Sequence, residues 1–375
     1  MRVEICPDSY KECLTAPEAA EAMARGWWRA RPVDELDLAP MADGGEGTVE
    51  ALVAATAGRN VDVEVSGPLG EPVAARYGLI DDDAAAVIEM AAASGLALVP
   101  PDRRDARVTT TRGTGELIRD ALVRGARRLV IGIGGSATND AGCGMAQALG
   151  FSLQDEKGRE LPPGGAALAR LHHINADNVL PELAACEVRV ACDVSNPLCG
   201  PTGASKIFGP QKGAGPEATE ELDAALSHWA DIVMRDLGAD VRDLPGAGAA
   251  GGLGAGLVAF AGAALCPGVE LVAEANHLDR RISEAALVLT GEGRLDGQTA
   301  HGKAPLGVAR IASKHGVPVV ALAGALGEGY KALNGLGIHA MMSISPGPIS
   351  LAESMARAAD LLSDASETVA RLWRE

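Results

Sequence analysis

At both ends of this 375-residue chain, short apolar runs alternate with longer runs of helical period, and this rhythm constrains the fold most. "VEICPDS" reads as a strand leaving into a loop. "APEAAEAMARGWWRA" reads as a helix, with Thr15 as N-cap, Pro17 in the first turn and Glu18 at capping-box spacing. "ELDLAP" gives a second strand, and "GEGTVEALVAATAG" a helix closed by Gly58. Near the other end, "AALVLTGEG", "VPVVALAG" and "IHAMMSI" read as strands. The helix "GKAPLGVARIASKHG" separates the first two, and "SLAESMARAADLLSDASETVARLW" reads as one long closing helix. Parallel strands need crossovers, which these helices supply. The two ends together predict about five parallel strands, a flavodoxin-like sheet.

The middle has a different pattern. "VDVEVSGPLGEPVAARYGLI" reads as two antiparallel strands around a turn, and "AAVIEM", "RRLVIGIGG" and "VRVACDV" as further strands. "TRGTGELIRDALVRG", "NDAGCGMAQALG" and "PEATEELDAALSHWADIVMRDLG" read as helices. The expected architecture is α/β. A discontinuous flavodoxin-like parallel-sheet domain, residues 1–64 plus 284–375, carries an inserted second α/β domain of mixed sheet, residues 65–283.

Composition narrows the function. A formal net charge of −17 argues against nucleic-acid and anionic-membrane partners, which require a basic face, but leaves room for a local basic pocket. Seven cysteines without a C-x-x-C pair predict reduced thiols, not a disulfide frame or a zinc site. No apolar signal region opens the chain and no run resembles a membrane span, so a cytoplasmic location is expected. Walker A, G-x-S-x-G and H-E-x-x-H patterns are missing from the sequence.

Ligands of open α/β sheets bind at the carboxyl ends of parallel strands. Asp8, Ser9 and Lys11 follow the first strand, and Asp43, Gly44, Gly45 and Glu46 the second. Glu292, Arg294 and Asp296 follow a later one, with Gln298 and Lys303 just beyond. In "VIGIGGSATNDAG", Gly132, Gly134 and Ala137 fit the G-x-G-x-x-A dinucleotide spacing, and NAD binding is the competing reading there. After Gly135, however, the turn offers Ser136, Thr138, Asn139 and Asp140, whose oxygens suit phosphate or Mg²⁺. "ACDVSNPLCGPTGASKIFGPQKGAG" joins Asp193 and Asn196 to a glycine-rich segment bearing Lys206 and Lys212. Phosphoryl transfer needs alignment and charge neutralisation, and these residue types supply both.

Nine blocks, in order, resemble the bacterial glycerate kinase type 1 family: "PDSYK", "MADGGEGTVEAL", "IEMAAASGLALVP", "TTTRGTGELI", "GIGGSATNDAGCGMAQALG", "CDVSNPLCGPTGAS", "FGPQKGA", "GAAGGLGAG" and "LTGEGRLDGQTAHGKAP". The resemblance implies Mg²⁺-dependent transfer of the ATP γ-phosphate to D-glycerate in glycolate and sugar-acid breakdown. The product is 2-phosphoglycerate, with 3-phosphoglycerate as the alternative. D-glycerate and ATP are the expected partners, and the sequence leaves a homodimer open. Within the matched blocks, Asp193 is the first candidate to orient or deprotonate the hydroxyl and Asp296 the second. Lys11 and Lys212 would neutralise phosphate oxygens, and Asp43, Asp140 or Glu292 would hold Mg²⁺. Asp8, Ser9, Gly44, Gly45, Glu46, Gly134, Gly135, Ser136, Asn139, Asn196, Lys206, Arg294, Gln298 and Lys303 are candidate substrate- or phosphate-binding positions. One block departs from the family pattern. Where K-G-S or K-G-T is usual, this chain reads Lys11-Glu12-Cys13, placing bulk and negative charge where the glycine stands.

Overall fold

The computed structural model describes residues 1–297, 299 and 303–373. In chain order its strands are β1 (Arg2–Pro7), β2 (Glu35–Leu38), β3 (Arg59–Ser66), β4 (Pro72–Ile80), β5 (Ala85–Glu89) and β6 (Arg128–Gly132). They continue with β7 (Ser152–Gln154), β8 (His173–Asn175), β9 (Glu187–Ala191), β10 (Ala264–Cys266), β11 (Leu287–Leu295), β12 (Val319–Leu326) and β13 (Ala340–Ser343). The chain divides into two compact units: Met1–Asp43, Glu50–Ala57 and Val269–Glu375 form one, Gly44–Val49 and Gly58–Gly268 the other.

In the first unit the sheet order is β13-β12-β11-β1-β2, and every pairing is parallel. Read from the β2 edge and counted within this unit, the order is second, first, third, fourth, fifth, the flavodoxin-like arrangement. Alternate residues of β1 face opposite layers. Val3 and Ile5 join a core with Met23, Trp27, Leu289 and Leu362. The helix Ala16–Ala30 opens with the expected capping box, Thr15 and Glu18 each bonding the other's backbone N–H. It packs so closely on the helix Ala358–Leu372 that Ser366 Oγ donates to Met23 O at 2.7 Å. The closing segment, expected as one helix, is two, Leu351–Ala356 and Ala358–Leu372. Arg357 leaves helical geometry between them, at φ −110° and ψ 13°. On the other face of β1, Glu4 is fully buried, with Arg281 Nε 3.1 Å from its carboxylate. Burial pushes its carboxyl up to about 8, against the pull of Arg281.

The second unit holds a six-stranded sheet, β10-β9-β6-β5-β4-β3. Its first three pairings are parallel and its last two antiparallel, so the sheet is mixed. The second unit does not begin at 65: Arg59 already pairs with Leu79, so all of β3 belongs to this sheet. Nor does it run to 283, because residues from Val269 onward join the first unit. Short β7, β8 and β10, each three residues, lack enough alternation to be read from sequence. Ile88, Leu117, Ile131, Met145, Trp229 and Phe260 lie in its core. All seven cysteines are free, as expected. No helix among the described residues is long and apolar enough to cross a membrane.

Candidate phosphoryl-transfer site

The first unit gathers acids where its parallel strands end. Asp8 follows β1, its N–H donating to Gly291 O of β11 at 2.8 Å. Burial, then the nearby charges of Asp43 and Glu292, push its carboxyl up to about 7, although Ser9 N–H donates to it at 2.6 Å. Glu292 lies within β11, not beyond it, and is buried. Thr299 Oγ1 donates to Glu292 Oε1 at 2.6 Å, and Lys303 Nζ lies 3.6 Å from Oε2. Burial still raises the Glu292 carboxyl, because those two partners only partly offset it. Asp43 is half-buried in the segment after β2. Asp296 pairs with Arg294 at 3.1 Å, while its backbone N–H donates to Thr299 Oγ1. Lys11 is exposed in the turn after Asp8, and Glu12 beside it adopts φ 66°, the left-handed region that favours glycine. Gln298 lies outside the described residues. Thr299, which links Glu292 to the Asp296 backbone, was not legible as a site residue. A lone threonine in a glycine-rich loop carries no pattern.

The second unit builds a polar turn after β6. Gly134 and Gly135 lead into Ser136, Ala137, Thr138, Asn139 and Asp140, with Gly135 at φ 74°. Lys212, on the single turn Pro210–Lys212, is 2% exposed, and its ammonium donates to Thr138 O at 2.6 Å and Ser136 Oγ at 3.0 Å. Burial pulls its pKa down to about 7, and the Asp140 charge works the other way. Lys212 reaches this turn although 76 residues separate it from Ser136. The second lysine of the segment goes elsewhere. Lys206, expected on phosphate, forms an ion pair with Glu220 of the helix Pro216–Leu237.

Asp140 is also engaged differently from its expected metal-ligand role. One carboxylate oxygen accepts from Thr111 N, Thr111 Oγ1 and Gly144 N, the other from Gly142 N. Four protein donors make it a brace for its own turn and leave it poorly suited to a cation. Thr109 adds a second brace, donating to Ala137 O at 2.8 Å. These threonines belong to the "TTTRGTGE" stretch, where only the run of three hydroxyls before a helix hinted at a role. Asn139 is fully buried, and its Nδ2 donates to Ser205 Oγ at 3.0 Å. A left-handed segment, Ala250 to Gly252, closes against the turn, and a side chain on Gly251 would collide with Thr138 O.

Asp193 and Asn196 follow β9. Asp193 is exposed, and its Oδ1 accepts from Gly268 N–H at 2.9 Å. Asn196 Nδ2 donates to Thr202 O at 2.8 Å, so its side chain shapes the loop. Gly44, Gly45 and Glu46 also belong to this unit, although they follow β2 in sequence. Gly44 sits at φ 85° against Ala191, where a Cβ would have no room. Glu46 is exposed. Glu89, at the end of β5, accepts from Val49 N–H at 2.8 Å and was missed by sequence reasoning.

The glycerate kinase family model matches residues 3–374. The Escherichia coli K12 protein named glycerate 2-kinase is 50% identical over 370 residues, covering 99% of this chain and 97% of its own. The Bacillus subtilis 168 glycerate kinase shows the same identity and coverage. A crystal structure assigned to glycerate kinase 2 of Salmonella typhimurium LT2 superposes with a TM-score of 0.92 at 50% identity, covering 99% of this chain and 98% of that one. Relatives that match essentially end to end, and a fold shared over the same span, make this chain a member of the glycerate kinase family.

Proposed function

We propose that the chain transfers the γ-phosphoryl group of ATP to a hydroxyl of D-glycerate, forming 2-phosphoglycerate. The observation that carries this reading is the Lys212 ammonium, buried and held at the glycine-and-hydroxyl turn after β6. A cation kept dry at a glycine- and hydroxyl-rich turn suits phosphate oxygens, whose charge it neutralises as transfer proceeds. The choice of the 2-position is supported by the 50% identity to a relative named glycerate 2-kinase. 3-Phosphoglycerate is the alternative product. Breakdown of glycolate and sugar acids, in the reducing cytoplasm that suits seven free thiols, is the setting we assign.

Mg²⁺ fits the acids of the first unit. Asp8, Asp43 and Glu292 are hard oxygen donors near one another, and burial first, then repulsion from the other two, holds the Asp8 carboxyl at about 7. A divalent cation relieves that repulsion. No cage of three such side chains is assembled among the described residues, and Mg²⁺ ordinarily uses one or two carboxylates together with phosphate oxygens and water. When bound, the ion would draw charge from the β- and γ-phosphate oxygens. Asp43 and Glu292 are the residues we assign to it. Asp193, oriented by the Gly268 N–H, accepts the hydroxyl proton as the oxygen attacks phosphorus. Asp296 is the second candidate for that role, its carboxylate already tied to Arg294. Lys11 is exposed for an anionic oxygen.

The test is steady-state ADP release from ATP and Mg²⁺, with and without D-glycerate, followed by a panel of related hydroxy acids. The reading expects release to depend on D-glycerate and to be weaker with the other acids. Release indifferent to every acid, or D-glycerate binding without turnover, would overturn it.

A further inference from the structure

The helix Thr48–Ala55 opens directly after the glycine loop Gly44–Gly47. A helix start after such a loop is normally an open place for an anion, because its first N–H groups have no internal partner. Here that place is taken. Glu89, the last residue of β5, lies mostly buried beneath the helix start. Its Oε1 accepts from Val49 N–H at 2.8 Å. Burial raises the Glu89 carboxyl, and the backbone of Val49, Gly47 and Thr48 offsets part of that rise. The loop is held at two other points. Gly44 packs on Ala191 at the end of β9, and Gly44 O lies so close to Gly132, the last residue of β6, that a side chain there would strike it. Thr48 Oγ1 donates back to Gly45 O at 2.8 Å. The ends of β5, β6 and β9 thus each fix one part of a segment that has no strand of its own.

We infer that Glu89 is a positioning residue: its carboxylate stands in the anion place of the helix start and fixes Gly44, Gly45 and Glu46 in the conformation that receives one of the two substrates. This inference rests on the kinase reading above. Two consequences follow from the geometry. The helix start is closed to the substrate's own carboxylate or phosphate, so recognition falls to the loop itself. Holding the loop also requires a carboxylate of this length, since it must reach the Val49 N–H while its charge is offset by the Gly47 and Thr48 backbone. An amide at the same position has a single acceptor oxygen and no charge, and a shorter acid falls a methylene short of the helix.

The experiment compares wild type, Glu89→Gln and Glu89→Asp by initial-rate kinetics over both substrates. In parallel, hydrogen exchange is followed at the Gly47, Thr48 and Val49 amides, with Tm as the check on global folding. The inference expects a KM at least about 10-fold higher for one substrate with kcat changed less than about threefold, because lost positioning removes binding common to ground and transition state. It expects loss of protection at the Val49 amide, the one bonded to Glu89, while Tm stays within a few degrees, and Glu89→Asp intermediate in both respects. Unchanged KM values, retained amide protection in Glu89→Gln, or a fall in kcat alone would overturn it. A wild type without glycerate-dependent turnover would instead defeat the kinase reading, and the exchange data would still report whether Glu89 holds the loop.

Discussion

If Lys212 faces phosphate, nucleotide binding must draw a proton from solvent. In the free protein its ammonium is buried, is bonded to Thr138 O and Ser136 Oγ, and has a pKa pulled from 10.5 to about 7. At pH 8 such a group holds only about a tenth of a proton. A triphosphate placed against it favours the charged form, returning the pKa toward that of an ordinary lysine. Binding at pH 8 should therefore take up about 0.9 proton, and at pH 6, where the group is already charged, about 0.1. The assay is calorimetric titration of a non-hydrolysable ATP analogue with Mg²⁺ in buffers of different ionisation enthalpy. The slope of the observed heat against that enthalpy gives the proton count. Lys212→Met should abolish the pH-8 uptake, at a stability cost of about 1–3 kcal/mol for each acceptor left without a partner. No uptake at pH 8, or equal uptake in Lys212→Met, would refute the argument that this lysine meets the nucleotide.

Asp193→Asn should lower kcat by about 10²–10⁴-fold with little change in stability, as removal of a general base does; near-normal turnover would remove Asp193 from the proton-accepting role. Glu12→Gly should raise stability by about 0.5–1 kcal/mol, because relief at φ 66° exceeds the added freedom of the unfolded chain, and an unchanged or lower Tm would contradict this. Glu4→Gln should flatten the pH dependence of stability. The folded Glu4 carboxyl, at about 8, lies above its ordinary 4.5, so its contribution is fully present below 4.5 and is lost as pH rises through 8. Denaturant midpoints from pH 4 to 9 check this, and a variant whose profile parallels wild type would count against a neutral Glu4.

Much of the fold was legible because its signals are local. The capping box at Thr15 and Glu18, the apolar run of β1 and the turn between β3 and β4 each lie within a few residues. Helices between the strands at both ends mark those strands as parallel, since parallel neighbours need a crossover. What escaped depends on contacts between distant parts of the chain. Gly44–Val49 follows a strand of the first unit yet packs within the second, which no local pattern encodes. Asp140 looks like a metal ligand in sequence, and only the Thr111, Gly142 and Gly144 donors show that its oxygens are spent on the chain. Lys206 and Lys212 look equivalent in one glycine-rich segment, but the turn Pro210–Lys212 sends one inward and leaves the other on Glu220. Glu89 lay at the end of a predicted strand and in a family-like block without being singled out, because its partner Val49 is 40 residues away.

Phosphorus NMR of the products formed from ATP, Mg²⁺ and D-glycerate tests the central claim most directly. The account predicts stoichiometric ADP and a single new phosphomonoester, coupled to one carbon-bound proton as attachment at the secondary 2-oxygen requires. A phosphomonoester coupled to two protons would place the phosphate on the primary 3-oxygen and contradict the assigned product. Inorganic phosphate as the sole new signal would contradict phosphoryl transfer to glycerate altogether.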